Sequence, residues 1–114
     1  MASSTIKTTT STPIAITSAM CNSKVTPTDG YYVKSGRICN LNVVLTSTQS
    51  IGAGSALIIT PPNGFVACEV VNFFIRYNQD FHPATISTTG QLISKDAIPS
   101  GATIVVNISY ASAS

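Results

Sequence analysis

Gly30-Tyr31-Tyr32-Val33-Lys34-Ser35-Gly36-Arg37-Ile38-Cys39-Asn40-Leu41-Asn42-Val43-Val44-Leu45 is the stretch that decides the fold. It reads as two β-strands folded about a tight turn at Ser35-Gly36, where glycine supplies the positive φ such a turn needs. The second strand runs from Arg37 to Thr46 and is rich in β-branched residues. Cys39, Leu41, Val43 and Leu45 fall on one of its faces, while Arg37, Asn40 and Asn42 stay polar. Side chains alternate across a strand, so one face is buried and the other meets water or a partner. The class is antiparallel β.

Working outward, Ile14 to Thr17 reads as a first strand, and Met20 to Val25 as a short strand or an irregular edge. Pro27-Thr28-Asp29-Gly30 has the composition of a turn. Ser47 to Ser55 is a Ser/Thr/Gly loop whose Ile51 plugs one end of the core. Ala56 to Thr60 is a strand, stopped by Pro61-Pro62-Asn63-Gly64. Phe65 to Arg76 is the longest β run, with Val70-Val71 and Phe73-Phe74 as adjacent apolar pairs. Apolar residues on both faces imply a second subunit or a β-bulge. Tyr77 to Pro83 reads as a polar loop. Ala84 to Thr88 and Gln91 to Ser94 pair across Thr89-Gly90, and Pro99-Ser100-Gly101 turns into a final strand from Thr103 to Tyr110. Eight or nine short strands at this spacing predict a compact antiparallel β-sandwich, jelly roll or barrel, with no helix beyond one turn. Residues 1–12, low in complexity, read as a flexible arm, and residues 13–114 as a single β domain.

Composition narrows the class further. Only 9% of residues are charged, and serine and threonine, 15 of each, supply the polarity. That suits a β-rich extracellular or virion surface and disfavours helix. A net charge of +2 with no Lys/Arg cluster argues against nucleic acid. No apolar run is long enough to span a membrane, and no signal peptide is visible. The three cysteines lack zinc-binding spacing, and all three are expected to be buried, reduced thiols. No metal or cofactor is expected.

Catalytic groups are scarce. The carboxylates are Asp29, Glu69, Asp80 and Asp96, and the one imidazole is His82. Asp80 and His82, two residues apart, are placed to share a face as an orienter and a base would, but no nucleophile elbow accompanies them. Glu69, inside an apolar run, calls for Arg76 or Arg37 as a partner. Recognition is better served. Arg76, Tyr77, Asn78, Gln79, Asp80, Phe81 and His82 combine aromatic rings, planar polar groups and charges, the types that hold sugars. This segment either lines a ligand site or is a solvated loop with Phe81 in the core and Asp80 capping a turn. Of Tyr31 and Tyr32, one is core and one exposed.

Several elements recur together in one known family: Tyr32-Val33-Lys34-Ser35-Gly36-Arg37-Ile38-Cys39, then Ile51-Gly52-Ala53-Gly54 and Pro62-Asn63-Gly64-Phe65, then Gly90-Gln91-Leu92, Pro99-Ser100-Gly101 and Asn107-Ile108-Ser109-Tyr110. In their order and spacing the chain resembles the head domains at the tips of phage and prophage tail fibres and receptor-binding proteins. It departs from that pattern at Thr60-Pro61-Pro62 and Val66-Ala67, and it has no tryptophan. The resemblance implies a homotrimeric, non-enzymatic head in a virion, made in the bacterial cytoplasm, that recognises a host-surface saccharide or cell-wall polymer. Residues 1–12 would then join the stalk. The alternatives are a structural virion or baseplate component and a bacterial lectin or adhesin module.

Overall fold

The computed structural model describes residues 12–113. It is all-β, one eight-stranded antiparallel sheet curled into a half-barrel. The strands are β1 (Ile14–Ala15), β2 (Val25–Ser35), β3 (Ile38–Ser47), β4 (Ala56–Ile58), β5 (Val71–Tyr77), β6 (Asp80–Ile86), β7 (Leu92–Ser94) and β8 (Thr103–Ala111). Their order across the sheet is β1-β2-β3-β8-β5-β6-β7-β4. A single 3-10 turn, Ser18–Met20, follows β1. No helix among the described residues is long and apolar enough to cross a membrane. Nearly all of the expected arm, residues 1–12, lies outside the described residues.

The opening hairpin supplies the second and third strands of the sheet. Ser35 pairs with Ile38, so Gly36 and Arg37 form a two-residue turn, one position later than the sequence implied. Gly36 has φ 61° and stands first in that turn, where a type II′ turn requires glycine. Cys39, Leu41, Val43 and Leu45 are all buried, and Ile104, Val106 and Tyr110 of β8 lie buried beside them. Tyr32 is buried and Tyr31 exposed, as alternation demands. Ile51 does close the core, at 1% exposure, bridged to Ile98.

Several sequence expectations are corrected. Pro27 to Gly30 is not a turn: β2 runs straight through it, with a bulge between Pro27 and Asp29. The turn-like composition serves that bulge and a close approach. A Cβ at Gly30 would lie 2.6 Å from the Cα of Val43, so only glycine lets β2 pass β3 there. The run from Phe65 to Arg76 is a strand only from Val71; Phe65 and Ala67 are buried in an irregular segment, and Phe65 meets the Tyr32 ring edge-on at 5.3 Å. Within β5 the paired phenylalanines simply alternate, Phe73 packing on the core and Phe74 standing 64% exposed. Glu69 is therefore exposed ahead of the strand rather than enclosed within it. Cys68, in the same segment, is exposed, whereas Cys21 and Cys39 are buried; all three are free thiols.

The half-barrel leaves β1 and β4 as edges, and β4 is covered. Ile59 N–H donates to the Met20 carbonyl at 2.7 Å, and Asn22 N–H donates to that of Leu57 at 2.9 Å. The chain between β1 and β2 thus lies along β4 and blunts it against pairing with another chain.

Candidate functional site

The last correction concerns the segment from Tyr77 to Pro83. It is a tight hairpin, not a loop: Tyr77 pairs with Asp80, Arg76 with Phe81, Ile75 with His82 and Phe74 with Pro83. Asn78 and Gln79 form the tip with φ of 52° and 65°. A two-residue turn with both centres left-handed matches the twist of the flanking strands. Asn tolerates that conformation; Gln does so at a cost of about 1–2 kcal/mol.

The hairpin's alternation divides the candidate residues between two faces. Tyr77 points inward and is buried. Its ring stacks on that of His82, centroids 3.7 Å apart and planes 8° from parallel. The Tyr77 hydroxyl donates to the Ala97 carbonyl at 3.0 Å, and burial, reinforced by the nearby Asp96 charge, raises its pKa and keeps it a neutral donor. His82 Nδ1 lies 3.0 Å from the Asp96 carboxylate. With a carboxylate as acceptor, Nδ1 carries the proton; the buried Nε2 has no partner among the described residues. Ser94 Oγ donates to the Asp96 carbonyl at 2.7 Å. The segment after β7 thereby bolts the hairpin from inside. Tyr77 and His82 frame the site, and Asp80 is exposed beside the tip.

The other face is open. Arg76 and Phe81 stand side by side on it, with Val105 of β8 on the far side of Arg76. Phe81 is 72% exposed, so the reading that tucked it into the core is overturned. A hollow of about 340 Å³ lies here, lined by Arg76, Asn78, Gln79, Thr103 and Val105 among others. Sequence reasoning missed Thr103 and Val105, and it missed Asp96 and Ala97 underneath. Val105 did carry a signal, an apolar residue in the outward phase of an alternating strand.

The arrangement does not suit catalysis by Asp80 and His82. The imidazole is bonded to Asp96 instead, and its free nitrogen is enclosed. Among the described residues no group of three or more His, Cys, Asp or Glu side chains is placed to hold a metal ion. No family model matches the chain, and no curated protein matches it.

Proposed function

We propose that the chain is a non-enzymatic recognition domain, the head of a phage or prophage tail fibre, that binds a saccharide on the host surface. The observation that carries this reading is the exposed Phe81, cross-strand from Arg76, beside a hollow that Arg76 lines with Asn78 and Gln79, on a hairpin bolted from behind. An aromatic face covers the apolar side of a sugar ring, and planar polar groups meet its hydroxyls. A rigid scaffold under such groups keeps the entropy lost on binding small. In this reading three copies of the head sit on one fibre axis, in the virion.

Adsorption tests it. Purified head should bind susceptible cells, and Phe81→Ala should cut that binding about tenfold while leaving the fold intact, a loss of about 1.4 kcal/mol. Unchanged adsorption of Phe81→Ala and Arg76→Ala would reject this face as the receptor site. A head that binds no cells would favour a structural virion component.

A further inference from the structure

The outer face beside the tip carries a second cation. β6 and β7 pair with Ala84 opposite Ser94, and Lys95 N–H donates to the Pro83 carbonyl at 3.0 Å, so the ladder continues one step further. Lys95 shares a shallow hollow with Phe74 and Pro83. The surface therefore reads as two adjacent rows, Val105–Arg76–Phe81 and Phe74–Pro83–Lys95. Arg76 and Lys95 lie two strands and two residues apart, about 12 Å by ordinary sheet spacings. Phe74 and Phe81, 64% and 72% exposed, are the large apolar groups between them.

Among the described residues no carboxylate pairs with these charges. Asp80 pairs with Tyr77, in the opposite phase to Arg76. Asp96 is engaged by His82. Glu69 lines a different hollow with Cys68 and Val71. Asp29 is in the Arg76 row but three strands away, about 14 Å. The two hollows have Arg76 and Lys95 as their charged lining residues.

From this charge pattern we infer that the outer face of β5, β6 and β7 binds a polyanionic polysaccharide, with Arg76 and Lys95 meeting successive acidic groups and Phe74 and Phe81 supporting the sugars between them. The inference rests on the saccharide-binding reading and specifies its ligand class. A guanidinium forms paired hydrogen bonds to carboxylate or phosphate, and the flanking apolar side chains lower the local dielectric and strengthen that attraction. Two cations on one face are too few for a nucleic-acid footprint, where many phosphates are neutralised together.

The test is binding of the full chain to four immobilised polymers: polygalacturonate, poly(glycerol phosphate), neutral dextran and oligothymidylate. The expected result is retention on one or both anionic polysaccharides, weakening as salt is raised past about 0.1 M, where the Debye length falls to about 10 Å. The stronger of those two identifies carboxylate or phosphate as the anion. Arg76→Ala and Lys95→Ala should each lower affinity about tenfold, equivalent to about 1.4 kcal/mol, with Arg76→Lys intermediate. Both positions are exposed, and circular dichroism checks that the variants remain folded. Equal binding to dextran, or unchanged affinity when Arg76→Ala and Lys95→Ala are combined, overturns the polyanion assignment and leaves saccharide recognition standing. Tighter binding to oligothymidylate overturns it in favour of nucleic acid. Retention of no polymer overturns the polyanion assignment, and adsorption of the purified head to susceptible cells separately decides the reading beneath it.

Discussion

Tyr32 and Tyr110 sit in the same core and differ by one hydrogen bond. The Tyr110 hydroxyl donates to the Phe65 carbonyl at 2.7 Å, whereas the Tyr32 hydroxyl is buried with no partner among the described residues. Leaving a buried acceptor without its donor costs about 1–3 kcal/mol, so Tyr110→Phe should lower unfolding free energy by about that amount. Tyr32→Phe removes an unsatisfied group and should be neutral or stabilising, which paired urea titrations will check. Burial raises both phenol pKa values. Their contribution is then fully present below the ordinary phenol pKa of about 10 and is lost as pH rises beyond it, because the unfolded chain ionises first. Stability should fall above that pH, and less steeply in Tyr32→Phe. The cysteines divide in a similar way. Burial raises the pKa of Cys21 and Cys39, while Cys68 is exposed, so a thiol reagent should label one site in the native protein and three after denaturation.

The hairpin of β5 and β6 combines local strain with tertiary support. Gln79 holds a φ of 65° that glycine adopts freely, so Gln79→Gly should stabilise the domain by up to about 1 kcal/mol. If the Gln79 amide contacts ligand, the same variant will bind more weakly despite its higher stability, the signature of strain kept for function. Asp96→Ala removes the His82 partner and should speed amide exchange across the tip more than it lowers global stability, since the pair is partly exposed. These elements also explain what the sequence disclosed. In β3 and β8 one face is buried and the other is not, so period-two alternation was readable residue by residue. Pro27 to Gly30 and Asn78-Gln79 were misread because bulges, tight hairpin tips and loops draw on the same Gly, Pro, Asn and Asp vocabulary. Pairing partners far along the chain decide among them. The candidate site was legible as a cluster of residue types. Its division into an inner frame and an open face depended on register, and Asp96, from the segment after β7, and Val105, from β8, reached it from outside the hairpin.

At the scale of the whole molecule, the proposed trimer raises the question of which exposed apolar area would serve assembly. Phe74, Phe81 and Val105 share the outer face with Arg76, whereas Val70 lies beyond it and Ile59 lies next to the covered edge of β4. An interface core is depleted in charge, and the Arg76 guanidinium on this face, with no ion pair among the described residues, would be costly to bury between copies. On the proposed reading, the outer face serves ligand and any contact between copies uses other surfaces. The prediction is a mass of three chains by light scattering, unchanged when Phe74 and Phe81 are both replaced by serine, with binding to cells lost in that variant. Both side chains are exposed, so the replacements cost the core little. A fall to one chain in the double variant would reassign the face to the subunit contact, and the polyanion site would have to lie elsewhere. A monomer even before substitution would remove the threefold fibre tip and favour a free-standing lectin-like module, whose affinity for cells would then depend on this one face.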